Sequence, residues 1–413
     1  MQAVIAIPEL RVLREYGDPE KLLMQKVAGV PLLVRVIATS MRAGVNELIL
    51  FWPAGLDRAI WDECAGSVEL RGLKTWMVPA FPFDPHKKSS WTAFAALLKD
   101  EFLWIPWNFI TAAGVLAAVE PSPALPLSWD TPIRLTSEVL FQCAHAGVTS
   151  ARPVEGFSIQ FPADIPRAER YLVSKSGKAT DGIYSRFNRR LCRPAVRILA
   201  RTSVTPNAVT LVGLGVAVAS TLLYARGSYL NYVAGALLFF LSGLIDDMDG
   251  MLARLKFRES AFGTWFEGFV DNATYLLLFS GITAGLYRQR GAGELAWGIA
   301  LVAGSALSAF VVAMQRKALT APSRPHEYSA RMNELMEEDS SLISRIVRQI
   351  HIFIRKGVAV HYILIFTVAG ILPLFLRMAS IAANLTWTLA LYFSWRFTRS
   401  RRAGALEALE SVV

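Results

Sequence analysis

The chain has 413 residues, enough for two or three domains, and 53% are hydrophobic, with a mean hydropathy of +0.37. A single soluble domain rarely reaches that level, and the excess lies after residue 205, whereas residues 1 to about 175 read as ordinary globular sequence. The net charge of +10 comes from clustered arginines without any nucleic-acid module signature, which points away from nucleic acid and toward a membrane surface or phosphate-rich ligands.

Cys64, Cys143 and Cys192 are few and far apart, so neither a disulfide framework nor a zinc site follows, and a reducing compartment is expected. The opening MQAVIAIPEL shows no signal-peptide pattern, so the first domain is expected to stay in the cytoplasm.

AVIAIP, residues 3–8, reads as a buried strand. Residues 30–43 have a helical pattern, with Pro31 in the first turn and Gly44 as the stop. NELILFW follows as a second strand. LKTWMV, a helix from about Ser90 to Leu98, and EFLWIP continue the alternation. Strand and helix in turn predict an α/β domain with a mainly parallel sheet.

PEKLLMQKVAGVPLLVRVIATSMRAGVNELILFW resembles the early part of the sugar-phosphate nucleotidyltransferases, which implies a Rossmann-like fold and a glycine-rich loop around nucleotide phosphates. Backbone N–H groups cradle phosphates only where side chains leave them room. Here the loop reads PELRVLREYGDPEK, with no glycine before Gly17. Asn108, in FLWIPWNFI, is the nearest residue to the family's metal-binding aspartate. Lys21 stands either at the family's loop lysine or as a solvated surface residue. The domain therefore reads as a degenerate nucleotidyltransferase, retained for structure or regulation, with an active cytidylyltransferase as the alternative.

In the junction SGKATDGIYSRFNRRLCRPAVRILARTSVTPN, a helical wheel gathers Arg186, Arg189, Arg190, Arg193, Arg197 and Arg201 on an arc of about 120°. Tyr184, Phe187, Leu191, Ala195 and Ile198 occupy the other side. Such a basic amphipathic helix suits the headgroup level of anionic lipid, and Pro194 is expected to kink or divide it. Some of these arginines are alternatively candidates for holding a substrate phosphate.

Apolar runs then centre near residues 207–225, 229–245, 262–287, 295–315, 358–376 and 378–395, each near the ~20 residues a spanning helix requires. Six spans place both termini on one side. The arginine helix, the Arg254–Lys256–Arg258 loop, the loop from Arg316 to Lys356 and the Arg396–Arg402 tail all fall on the side expected to be cytoplasmic. The Arg316 loop is expected to form a helix along the membrane; His326, His351 and His361 are too scattered to form a site. The expected organisation is a cytoplasmic α/β domain at 1–174, a linker with the basic helix at 175–205, a six-helix all-α transmembrane domain at 206–398 and a tail at 399–413.

Between the second and third spans stands Asp246-x2-Asp249-Gly250-x2-Ala253-Arg254-x8-Gly263-x3-Glu267-x3-Asp271. Carboxylates at a bilayer are costly and usually functional. Asp246 and Asp249 share a helix face, and Gly263, Glu267 and Asp271 step by four along the next, so two packed helices can converge four carboxylates. Their mutual repulsion calls for divalent cations, and oxygen-only donors suit Mg²⁺ or Mn²⁺.

This spacing resembles the signature of the CDP-alcohol phosphotransferases, D-x2-D-G-x2-A-R-x8-G-x3-D-x3-D, with seven of its eight fixed positions matched and Glu267 in place of the third aspartate. The resemblance implies an integral-membrane, metal-dependent transferase that moves a substituted phosphate from a CDP-alcohol to an acceptor hydroxyl and releases CMP. It implies Asp246, Asp249, Glu267 and Asp271 around two ions, and Asp271 as general base. Gly250, Ala253, Arg254, Gly263 and the Asn207 of TPNAVT are implied at the nucleotide. Two ions would clamp the pyrophosphate and neutralise departing CMP. Glu267 is one methylene longer than aspartate but still supplies oxygens.

The fused domain and GKATDGIYSRFNRR resemble the fused inositol-phosphate cytidylyltransferase/phosphotransferase proteins. That implies phospholipid or polyol-phosphodiester synthesis, a donor such as CDP-diacylglycerol or a CDP-polyol, and an acceptor that includes polyol phosphates, with Arg189 and Arg193 at the acceptor phosphate. A homodimer is expected, and the membrane is the inner one if the source is a prokaryote. Two other classes remain: a catalytically inactive scaffold, and a transporter, which would more often show internal repeats or broken helices that are not visible here.

Overall fold

The computed structural model describes residues 1–79, 83–124, 126, 128–141, 154–177, 182–319 and 356–410. The chain divides into two units. The first comprises Met1–Ala179, Arg193–Val204 and Met251–Arg258; the second comprises Thr180–Cys192, Thr205–Gly250 and Glu259–Val413.

The first unit starts with β1 (Gln2–Ala6), buried at every position. Two short helices, α1 (Leu10–Tyr16) and α2 (Pro19–Leu23), lead to the hairpin β2 (Lys26–Val27) and β3 (Val30–Pro31). Helix α3 (Leu32–Arg42) therefore starts two residues later than its apolar pattern suggests, because Val30 and Pro31 pair with Val27 and Lys26 instead. Ala28 and Gly29 both have positive φ, as a two-residue hairpin turn requires. Gly44, at φ +97°, follows the end of α3.

Next come β4 (Glu47–Trp52), α4 (Arg58–Ala65), β5 (Lys74–Pro79), α5 (Lys88–Thr92) and β6 (Glu101–Trp104). The helix expected from Ser90 to Leu98 is divided into α5 and a 3₁₀ turn at Ala95–Leu97. The small elements β7 (Phe109–Ile110) and α6 (Ala113–Ala117), then β8 (Ile133–Thr136), α7 (Ser137–Phe141), β9 (Phe157–Ser158) and α8 (Ile165–Lys175), complete the domain.

The main sheet has the order β5-β4-β1-β6-β8. Four strands are parallel and β8 runs antiparallel to β6 at the edge. Continuous apolar runs such as ELILFW belong in the interior of such a sheet, where both faces are covered. One core cluster is dominated by aromatic rings: Phe51 stacks on Phe83 at 4.0 Å, and Trp91, Phe102, Trp104 and Trp129 pack beside them. The buried indoles are satisfied, with Trp91 Nε1 donating to Pro85 O and Trp104 Nε1 to Trp129 O, each at 2.9 Å.

Helix α9 (Ile183–Ala200) runs unbroken through Pro194, which is exposed, so the expected division does not occur. Asn188, Cys192, Val196 and Ala200 form a buried stripe at four-residue spacing. Ile183, Tyr184, Phe187, Leu191 and Ile198 remain exposed, as an amphipathic surface helix requires.

Among the described residues five helices are long and apolar enough to cross a membrane: α10 (Pro206–Arg226), α11 (Tyr229–Leu255), α12 (Ala261–Arg290), α13 (Ala292–Leu319) and, after the shorter α14 (Lys356–Val368), the segment Leu372–Tyr392 of α15 (Leu372–Glu410). The fifth expected run, 358–376, is interrupted: α14 ends at Val368, Gly370 takes φ +72°, and α15 starts at Leu372. Cys143, His326, His351 and the expected helix in the loop after Arg316 lie outside the described residues.

Small residues and side-chain-to-backbone bonds join the helices of the second unit, as is common where lipid removes the hydrophobic drive between them. Ser242 Oγ donates to Gly213 O at 2.9 Å, Ser220 Oγ to Gly235 O at 2.7 Å and Ser308 Oγ to Ala383 O at 3.0 Å. At Gly285 a Cβ would lie 2.1 Å from Tyr224 O, so only glycine permits the approach of α12 to α10.

Candidate active site

Three helices of the second unit build the site. Thr205 caps α10, its Oγ1 accepting from Ala208 N at 3.3 Å, and Pro206 takes the first turn, where a missing N–H costs nothing. Ser260 caps α12 by accepting from Gly263 N at 2.9 Å. These caps fix the entries of both helices, and Gly263 lies beside Asn207: a Cβ on the glycine would be 3.6 Å from Asn207 Oδ1.

Asp246 and Asp249 lie on α11, Glu267 and Asp271 on α12. Asp246 is within electrostatic reach of Asp271, Asp249 and Glu267, and Asp249 within reach of Glu267 and Asp271. The four carboxylates singled out by spacing are thus gathered in one field.

Asp249 is buried at 3% exposure, and Thr210 Oγ1 donates a hydrogen bond to its Oδ2. Its Oδ1 is buried and accepts no hydrogen bond of normal geometry among the described residues. A buried carboxylate oxygen without a donor is costly and fits a cation. Among the described residues no three His, Cys, Asp or Glu side chains stand close enough to hold a metal ion by themselves.

Arg189 forms an ion pair with Asp247, Nε to Oδ1 at 3.5 Å, and Cys192 Sγ donates to Leu244 O at 3.3 Å; these contacts join the first half of α9 to α11. Burial pushes the Cys192 thiol up to about 12, so it stays protonated.

The remaining expected nucleotide and phosphate residues divide. Gly250 belongs to the second unit, Ala253, Arg254 and Arg193 to the first. Arg254 Nε donates to Ser176 O at 2.6 Å, and Arg193 is exposed. In the α/β domain, Asn108 Nδ2 donates to Ile159 O at 3.0 Å, and Lys21 pairs with Asp18 at 3.4 Å on the surface.

Three residues of this neighbourhood escape the sequence reading as site members: Thr210, Asp247 and Tyr275. Thr210 closes the TPNAVT element and Tyr275 continues the four-residue ladder 263, 267, 271, within electrostatic reach of Asp271 and Asp246. Those spacings were the available signals. Asp247 had none beyond its place between the two matched aspartates.

Residues 203–389 match the family model described as CDP-alcohol phosphatidyltransferase. The chain is 21% identical over 264 residues to a bifunctional IPC transferase and DIPP synthase of Aquifex aeolicus, covering 64% of this chain and 56% of the relative. It is 38% identical over 98 residues to an archaetidylinositol phosphate synthase of Methanothermobacter thermautotrophicus, covering 22% of this chain and 49% of that protein. A bifunctional IPC transferase and DIPP synthase of Thermococcus kodakarensis is 32% identical over 137 residues, 33% of this chain and 30% of the relative. The chain thus spans about half the length, or less, of these curated relatives. Residues 203–389 are a CDP-alcohol phosphatidyltransferase domain.

Proposed function

We propose that the protein is an integral-membrane CDP-alcohol phosphotransferase that transfers a substituted phosphate from a CDP-alcohol to an acceptor hydroxyl and releases CMP. One observation carries the reading: four carboxylates from two consecutive helices share one field, with Asp249 held by Thr210 on one oxygen and, among the described residues, accepting no hydrogen bond of normal geometry on the other.

Asp246, Asp249, Glu267 and Asp271 would hold Mg²⁺ or Mn²⁺, two ions in the full site. The bound metal supplies charge neutralisation at the pyrophosphate. Asp271 accepts the proton of the acceptor hydroxyl. The hydroxyl oxygen forms a bond to the β-phosphorus as the bond from that phosphorus to the bridging oxygen breaks, and CMP departs with the bond electrons. Gly263 and Asn207 accept the nucleotide where no side chain obstructs the approach, and Gly250, Ala253 and Arg254 are assigned to it by their place in the signature. The work of the protein is mainly positioning and electrostatics.

The acceptor is a polyol phosphate, with Arg189 and Arg193 at its phosphate and Asp247 releasing Arg189 as the anion arrives. The donor is CDP-diacylglycerol or a CDP-polyol, and the relatives' names support an inositol-type chemistry. The α/β domain at 1–174 is a degenerate nucleotidyltransferase: Asn108 and Lys21 are engaged in local structure rather than gathered at a phosphate loop. The basic helix within 175–205 lies on anionic lipid, spans occupy 206–398, the 399–413 tail and both termini are cytoplasmic, and the chain works as a homodimer.

Purified full-length protein in detergent or liposomes should release CMP from CDP-diacylglycerol or a CDP-polyol only when Mg²⁺ or Mn²⁺ and an acceptor are present. Absence of metal-dependent release with every CDP-alcohol offered contradicts the proposal.

A further inference from the structure

Helix α11 is one continuous helix that carries Asp246 and Asp249 and ends at Leu255; its last turn, Met251–Leu255, is part of the first unit. The way it ends is unusual. Arg258 N donates to Ala253 O at 2.9 Å and Phe257 N to Arg254 O at 3.4 Å, the bond pair of a Schellman cap. The left-handed residue of such a cap is usually glycine, but here it is Phe257, at φ 57°. A bulky residue in that region is strained and persists only where its surroundings hold it.

The surroundings come from α3. The guanidinium of Arg42 lies 4.4 Å from the Phe257 ring centroid and that of Arg35 5.2 Å from it. The same side chains reach the terminal carbonyls: Arg42 Nη1 donates at 2.9 Å to Arg254 O, which also accepts from Phe257 N, and Arg35 Nη2 donates to Leu255 O at 2.8 Å. Two cations at a helix C-terminus also complement its dipole. Arg35 is 2% exposed and its Nε is fixed by Val27 O at 2.8 Å, so the hairpin β2–β3 and α3 orient it. Lys256 is held from another side by Thr202 O at 2.7 Å and Val204 O at 2.8 Å.

We propose that Arg35 and Arg42 are positioning residues that clamp the Phe257 cap of α11 and keep this helix, which carries Asp246 and Asp249, wound to its last turn for metal binding. Asp249 is six residues from Leu255, about 9 Å along the helix axis. A rigid helix carries the constraint over that distance, whereas a fraying last turn would not. The inference rests on the metal-dependent transferase reading above, and it gives the α/β domain a task that needs no nucleotidyl chemistry.

The test uses full-length protein and three variants: Arg42→Met, which removes an exposed clamp member; Arg42→Lys, which restores the charge; and Arg35→Met. Hydrogen exchange of the amides between Asp249 and Phe257 and Mn²⁺ binding by electron paramagnetic resonance are read on each, with Arg14→Met, an exposed arginine on α1, as control. Expected are faster exchange confined to that segment, and a Mn²⁺ dissociation constant raised about tenfold by Arg42→Met and partly recovered by Arg42→Lys. Unchanged exchange, or faster exchange with unchanged Mn²⁺ affinity, overturns the proposal. Should Arg35→Met fail to fold, the Arg42 pair decides the outcome. Wild-type protein that binds no Mn²⁺ and releases no CMP removes the transferase reading instead, and the clamp's role in presenting the carboxylates falls with it.

Discussion

Replacing Thr210 with valine tests the site with little change in shape. The two side chains are nearly isosteric, so packing at the buried position is kept while the donor to Asp249 Oδ2 is lost. Since Oδ1 already accepts nothing of normal geometry among the described residues, the variant removes the one side-chain donor that the described residues offer this buried carboxylate. A hydrogen bond to a charged group contributes about 1.5–3 kcal/mol. At 1.36 kcal/mol per factor of ten, that corresponds to about 10- to 150-fold. Removing a donor that orients a metal ligand typically costs about 10- to 100-fold in metal affinity or activity. The Mg²⁺ concentration for half-maximal CMP release should therefore rise at least about tenfold in Thr210→Val and stay near wild type in Thr210→Ser. Titration of CMP release against Mg²⁺ reads this directly. A Thr210→Val enzyme with the wild-type metal requirement refutes the assignment of Asp249 as a ligand oriented by Thr210.

Other outcomes follow from the same geometry. Glu267→Gln should lower metal-dependent turnover about 100-fold while Glu267→Asp keeps it within about tenfold, read as initial rates at saturating donor. Gly285→Val should lower the thermal unfolding midpoint, because the added Cβ falls 2.1 Å from Tyr224 O and overpacking costs about 1–3 kcal/mol or more; an unshifted midpoint contradicts the close approach of α10 and α12. The Glu47 carboxyl is pulled from 4.5 to about 2, first by the hydrogen bond from Lys99 and then by that from Trp76. A depressed folded-state value gives stability that is complete above pH 4.5 and is lost as pH falls toward about 2. The stability difference between wild type and Glu47→Gln, followed by tryptophan fluorescence, should shrink over that window; a constant difference contradicts the pairing.

Much of the architecture was readable because the chain states it in simple periods. The runs AVIAIP and ELILFW have no polar alternation and belong in the middle of a covered parallel sheet, where β1 and β4 lie. The errors have local causes. Val30 and Pro31 fit a helix start by pattern, but the positive φ of Ala28 and Gly29 turns them into a hairpin first. Gly370 is hidden in an apolar run, and hydropathy cannot see that it ends α14. Pro194 did not divide α9, since at an exposed position solvent can satisfy the carbonyl that proline leaves open.

At the site, the four carboxylates were legible because two helical faces impose the spacings 3 and 4. Thr210 was not, because a threonine on an apolar helix is commonly satisfied by its own backbone and only tertiary placement aims it at Asp249. The clamp on Phe257 was equally invisible: Arg35 lies 222 positions before Phe257, and nothing local marks either as a partner of the other.

The most direct measurement is CMP release by wild type and Asp271→Asn, side by side, in full-length protein with CDP-diacylglycerol or a CDP-polyol, with and without Mg²⁺. The account predicts Mg²⁺-dependent release by wild type and its loss in Asp271→Asn with the fold intact. Equal release by the two proteins, or release indifferent to metal, would contradict it.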